Sequence, residues 1–156
     1  MEQSTLASHF PFLGAYPFFE ARPGVAMILL ADAPSYTIVA VSNDFVTTSG
    51  LKREEVIGKS HFTVFPENPA DPAASGVQSL QGSFESVLRH KENHSLPLMR
   101  YDIPDGAGAF REMYWKSTNA PVLDDQGEVK FIIHTAEDVT AQVKAQERKR
   151  QMESIQ

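Results

Sequence analysis

Residues 25–31 read VAMILLA, a short apolar run closed by Pro23-Gly24 on one side and Asp32-Ala33-Pro34 on the other. Its length and flanks predict a buried strand. Residues 36–42 (YTIVAVS) are equally short and β-branched, and the Asp and Pro between the two runs supply turn chemistry that makes them a hairpin or a closely related pair. The pattern then changes. Asn43 is placed to cap a short helix over 43–49 with Asp44 in its first turn and Gly50 as its stop, and a second short helix over 53–57 is closed by Gly58. Residues 65–76 (FPENPADPAASG) hold three prolines, which forbid regular helix or strand. Ser75 and Gln78 then form a capping-box pattern, and Val77, Leu80, Phe84, Val87 and Leu88 recur at helical spacing, so one long amphipathic helix ends near Lys91. Residues 95–103, 110–119 and 129–137 read as three strands, separated by Asp105-Gly106 and by Asp124-Asp125-Gln126-Gly127.

The resulting order, β-β-α-α-α-β-β-β, predicts an α+β fold with one antiparallel sheet and its helices on one face. Alternation in the fourth strand sets its inner side. Met113, Trp115, Ser117 and Asn119 share one face, while Glu112, Tyr114, Lys116 and Thr118 share the other, and charge occurs only on the second. In the last strand alternation leaves both faces open, because Phe131, Ile133 and Thr135 compete with Ile132, His134 and Ala136. The aromatic-rich residues 9–21 suit a short helix or hook over one edge of the core. After Asp138-Val139-Thr140 the chain runs AQVKAQERKRQMESIQ, which lacks Gly and Pro and predicts a helix capped by Asp138 or Thr140. Ala141, Ala145, Arg148, Met152 and Ile155 follow the register of a coiled-coil seam interrupted by Arg148. Because the pattern runs to the last residue, the helix is expected to continue beyond it.

Composition narrows the function. The net charge is −6, and residues 140–156 carry four basic against two acidic side chains, so residues 1–139 carry −8. An acidic body lacks the clustered Lys and Arg that polyanion binding needs, so nucleic acid is not an expected partner. The chain has no cysteine, which removes disulfides, thiolate metal sites and cysteine nucleophiles. No signal peptide is apparent, and no apolar run approaches the roughly 18 residues of a membrane span, so a cytoplasmic location without membrane contact is expected. Asn93-His94-Ser95 matches a glycosylation sequon that has no meaning in that setting.

The element order and its punctuation resemble the PAS family across about residues 24–140. VSNDFVTTSGLKREEVIGKS is similar to the PAS stretch in which a polar turn leads into two short helices ending in glycine, and NAPVLDDQGEVKFIIHTAEDVT to the last hairpin with its closing Asp-x-Thr. FPENPADP and MRYD are most similar to PAS sensor modules of bacterial two-component histidine kinases. The resemblance implies a five-stranded sheet with a pocket between its concave face and the long helix. It also implies a division into an N-terminal cap segment (1–23), a PAS sensor domain (24–139) and an output helix (140–156). The expected function is signal input: a small molecule or partner is bound, and its state passes through Asp138 and Thr140 to a homodimer's paired helices and a downstream kinase or other effector. The alternative is a PAS module that dimerises without a ligand.

Candidate pocket residues are Met99, Tyr101, Trp115, Ser117, Asn119, His134 and Phe84, an apolar and aromatic wall with a few polar groups. The resemblance favours the pocket-facing choice for His134, against a plain core histidine as the competing reading. No cofactor is required. A haem would want a histidine from the long helix, but His90 lies at its end and off the apolar stripe. His61 stands three residues after Gly58, where the related light-oxygen-voltage domains carry the cysteine of their flavin adduct. That chemistry needs a thiol, which leaves only non-covalent flavin as a lesser alternative. His90 and His94 have an i, i+4 spacing but no third ligand nearby, so no metal site is expected. No catalytic constellation is found: Glu54-Glu55 and Asp124-Asp125 are adjacent pairs whose side chains diverge. A remote alternative, a small α+β isomerase using Tyr101 and Asp102, fails because strand neighbours point to opposite faces.

Overall fold

The computed structural model describes residues 16–155. Its elements are α1 (Tyr16–Ala21), β1 (Val25–Leu30), β2 (Ile38–Val41), α2 (Asn43–Ser49), α3 (Arg53–Val56), α4 (His61–Val64), α5 (Gly76–His90), β3 (His94–Arg100), β4 (Ile103–Pro104), β5 (Phe110–Arg111), β6 (Tyr114–Leu123), β7 (Val129–Asp138) and α6 (Thr140–Ile155). Five strands form one antiparallel sheet in the order β2-β1-β7-β6-β3, and β4 and β5 pair separately. The predicted α+β architecture is the one observed.

The inner face of the sheet and the helices enclose the main core, built on Met27, Leu29, Ile38, Phe45, Leu80, Phe84, Trp115 and Ile132. Burial along β6 follows the expected alternation, with Trp115, Ser117 and Asn119 buried and Lys116 exposed. A smaller cluster of Ile28, Val39, Ala40 and Phe131 lies apart from it, and Phe19 of α1 packs there. The hook expected over residues 9–21 is thus met by α1 beside β2, while residues 9–15 lie outside the described part.

Several local expectations are corrected. Tyr36 sits in the left-handed region at φ 49°, so β2 starts only at Ile38. Ser42, not Asn43, caps α2: its hydroxyl accepts from the Phe45 N–H at 3.2 Å and the Ala26 N–H at 3.0 Å and donates to the Gly24 carbonyl at 2.8 Å, tying the helix to β1. Asn43 accepts instead from Arg53 at 2.7 Å. Gly50 ends α2 at φ 74°, as expected. Ser75 makes no side-chain cap for α5; the Glu67 carboxylate reaches from the proline-rich loop to the Val77 N–H at 3.2 and 3.3 Å. A carboxylate there also complements the helix dipole. Helix α4 was not foreseen, because four residues are too few for a helical period to show.

The third strand ends at Arg100, short of residue 103. Beyond it Asp102 is drawn into bonds with Arg100, Asn68 and the Met113 N–H, and Ile103 pairs with Arg111 in the small hairpin. Strand β6 begins later and ends later than expected, running to Leu123 through Pro121. β3 pairing stops at Asn119, so at Pro121 β6 has β7 alone as a neighbour, a position where proline is tolerated. Helix α6 forms as expected and has no buried residue, with Met152 71% and Ile155 84% exposed.

Candidate functional site

A void of about 50 Å³ lies between the sheet and the helices. β1 contributes Val25 and Met27, α2 contributes Phe45, Thr48 and Ser49, α4 contributes His61, and α5 contributes Leu80. The opposite wall is Met99, Tyr101, Ile103, Trp115, Ser117, His134 and Ala136. Of the residues expected from sequence, Met99, Tyr101, Trp115, Ser117 and His134 line it. Asn119 and Phe84 are buried but do not line it: Asn119 holds His134, and Phe84 stands edge-on to it at 5.8 Å between ring centroids. The structure decides the face of the last strand in favour of Ile132, His134 and Ala136: Ile132 and Ala136 pack in the main core and His134 lines the cavity, while Phe131 joins the other cluster.

A chain of three hydrogen bonds leads away from the cavity. His134 Nδ1 lies 2.6 Å from Asn119 Oδ1, Asn119 Nδ2 donates to Ser83 Oγ at 2.8 Å, and Ser83 Oγ lies 2.7 Å from Nδ1 of the half-buried His94. Since an amide oxygen only accepts, His134 carries its proton on Nδ1. The chain crosses β7, β6, α5 and β3. Ser83 was missed in the sequence, although its place between Leu80 and Phe84 on the buried stripe of α5 was a signal that a polar group had a partner there.

His61, also missed as a lining residue, is 2% exposed, and its ring stands 5.7 Å from that of His134. Burial, reinforced by the neighbouring His134, holds its pKa well below the usual histidine range, and burial lowers that of His134 to about 4. Both rings are therefore neutral at pH 7. Nδ1 of His61 is buried without a hydrogen-bond partner.

The remaining polar groups near the cavity are committed to structure. Tyr101 donates its hydroxyl to the Phe65 carbonyl, its pKa raised by burial, and its own carbonyl accepts from Trp115 Nε1 at 2.9 Å. Burial opposes ionisation of Asp102, but bonds from Arg100, Asn68 and the Met113 N–H outweigh it and hold the carboxyl below its usual range. Tyr101 and Asp102 thus serve different partners, which removes the geometry an isomerase site would need. Arg111 of β5 donates to the carbonyls of Thr48 and Ser49 at 3.1 and 3.0 Å, fastening the small hairpin to the end of α2 at the cavity rim. His90 and His94 fall on different elements, and among the described residues no group of three or more His, Cys, Asp or Glu could hold a metal.

Gly76 is the close approach on which this wall depends. A Cβ there would stand 2.6 Å from Cδ2 and 2.8 Å from Cγ of Tyr101. The Tyr101 ring is tethered at its hydroxyl and packed against the core, so Gly76→Ala is expected to cost about 2 kcal/mol. Urea unfolding checks it; an unchanged midpoint would show that the ring yields freely.

The anchors of α6 are geometrically explicit. Asp138 is the register partner of Trp115, and its carboxylate accepts from the Thr140 N–H at 3.0 Å. The Val139 N–H donates to the Tyr114 carbonyl at 2.9 Å, and Thr140 Oγ1 accepts from the Tyr114 N–H at 3.0 Å. Val139 itself is buried.

A family model described as a PAS domain matches residues 24–141. No curated protein matches the chain. Among solved structures the chain is similar to an RNA-binding light-oxygen-voltage receptor (TM-score 0.63, 18% identity, covering 96% of this chain and 38% of that one). It is similar to VqmA bound to DPO (TM-score 0.57, 23% identity, 81% and 57% covered) and to a LOV protein of Rhodobacter sphaeroides (TM-score 0.62, 8% identity, 87% and 68% covered). At these identities the likeness is one of fold, and the chain spans well under two thirds of the first two proteins' lengths. The residues present do not fit the flavin of light-oxygen-voltage proteins. There is no cysteine to form the adduct, and for a ring system held without one the void as it stands is far below the several hundred Å³ required.

Proposed function

The chain belongs to the PAS domain family, and from that premise we propose that it is a sensory input module whose cavity binds a small molecule and whose occupancy is passed to α6. Residues 24–139 are the sensor, and 140–155 form an output helix that pairs in a homodimer and leads to an effector, a bacterial histidine kinase by sequence resemblance. One observation carries this reading: Trp115, a cavity wall, is the register partner of Asp138 and directly follows Tyr114, the residue that holds both Val139 and Thr140. A ligand that shifts Trp115 therefore shifts the root of the helix, and a two-state change in α6 is the natural readout.

Mass spectrometry of compounds released on denaturing the purified protein tests the reading. A compound recovered in near-equal amount, whose return changes the fluorescence of Trp115, the chain's single tryptophan, supports it. Thr140→Ala removes the acceptor for the Tyr114 N–H, and the loss of about 1 kcal/mol should lower amide-exchange protection in the first turn of α6 about fivefold. Unchanged protection would detach Thr140 from the relay.

A second reading, a dimerisation module that needs no ligand, is favoured by the small size of the void. On that reading no compound is released, and Met152→Glu alone disrupts the dimer in sedimentation.

A further inference from the structure

The cavity wall holds no Asp, Glu, Lys or Arg. An ion placed there would give up its hydration without a counter-charge, at a cost no apolar contact offsets. Two polar groups on this wall nevertheless lack partners. Nδ1 of His61 is buried without a hydrogen bond, and Ser117, 4% exposed on the neighbouring face of β6, makes no side-chain hydrogen bond to another described residue. His134, by contrast, is held by Asn119. A buried polar atom is rarely left unpaired, since it costs about 1–3 kcal/mol, and His61 Nδ1 on the wall of an apolar void that Ser117 also lines marks a site completed by something else.

We propose, resting on the sensory reading above, that the ligand is a small uncharged molecule with an apolar body and adjacent hydrogen-bond donor and acceptor atoms, anchored by His61 and Ser117. A neutral imidazole has one donor and one acceptor nitrogen, and a hydroxyl can act as either, so a ligand bearing both kinds of atom satisfies the two groups together. The apolar body lies against Met27, Phe65 and Trp115. A void of about 50 Å³ admits only a few non-hydrogen atoms as it stands. Met27 and Met99 are the unbranched, adaptable side chains whose rotation enlarges it.

Three five-atom probes test the assignment by nitrogen-15 NMR titration of the full 156-residue chain: pyrazole, uncharged with adjacent donor and acceptor; thiophene, the same ring size without them; and propionate, an anion. Pyrazole is expected to shift the amides of cavity residues and to bind at least tenfold more tightly than thiophene, with propionate weakest. Ser117→Ala and His61→Leu should each reduce the pyrazole preference about fivefold or more. Ser117→Ala, the smaller change, decides the matter if the other variant does not fold. Equal binding of pyrazole and thiophene, tightest binding of propionate, or a pyrazole preference that survives in the variants would overturn the assignment and leave the cavity a binding site. If none of the three perturbs cavity residues, the small-molecule reading fails with it.

Discussion

Lowering the pH from 6.5 to 4 is expected to remove about 3 kcal/mol of folding stability through His134 alone. An unfolded histidine takes up its proton near pH 6.5, whereas the folded His134, desolvated in the core, does so only at about 4. Between those values the unfolded state binds more protons, so stability falls as the pH falls, while above pH 6.5 the full stability is present. His61 is lowered by the same burial and adds a loss of the same sign in the same window. Asp102, held below its ordinary range, contributes separately and loses its contribution only at still lower pH. Urea unfolding at a series of pH values measures the effect. His134→Gln, which keeps a donor for Asn119 but cannot titrate, should flatten the dependence by about one proton's worth, roughly 1.4 kcal/mol per pH unit. A wild-type stability that stays level from pH 6.5 to 4 would show that both rings are already charged or solvated in the fold.

Replacing Asn119 with leucine is the second large effect, expected to cost about 3 kcal/mol. The side chain is fully buried and serves both neighbours at once, accepting from His134 and donating to Ser83. Leucine has nearly the same volume and an apolar surface, so the transfer of the side chain itself is favourable. What it removes is the acceptor that fixes the His134 tautomer and one partner of Ser83, leaving groups buried that water cannot reach. Asn119→Leu should therefore lower the unfolding midpoint well below that of Lys116→Leu, an exposed change on the same strand. Equal midpoints would mean that the bond chain contributes nothing to stability.

How far the sequence carried depends on the kind of information each element needed. The inner face of β6 was legible because alternation is a property of the backbone, and a strand with Lys116 on one side and Trp115 on the other has only one way to face a core. The amphipathic stripe of α5 and the glycine stop of α2 were legible for the same local reason. The face that carries His134 was not legible from alternation, since both faces of β7 carry apolar residues and the sheet buries both, and only the family resemblance favoured the inner one. The cap of α5 was misassigned because Ser75 and Gln78 look sufficient locally, while the group that bonds the Val77 N–H is Glu67, from the loop before the helix.

The site divides in the same way. Trp115 and Ser117 were found from strand patterning, which also brought Asn119 onto the right face, while Met99 and Tyr101 were named as apolar and aromatic wall residues. His61 and Ser83 were not, because a histidine in a four-residue helix and a serine on a helical stripe acquire meaning only from what stands opposite. Periodicity, turn residues and charge pattern are fixed by neighbours along the chain, and by themselves they determined the order of the five sheet strands and of α2, α3, α5 and α6, the α+β fold and the inner side of β6, but neither α4 nor the small β4-β5 hairpin. Which buried polar group meets which, that His61 faces His134, and that Tyr114 holds the root of α6 were decided by tertiary structure alone. Hydrogen bonds are short-ranged, and only folding brings residues so far apart in sequence within reach of one another.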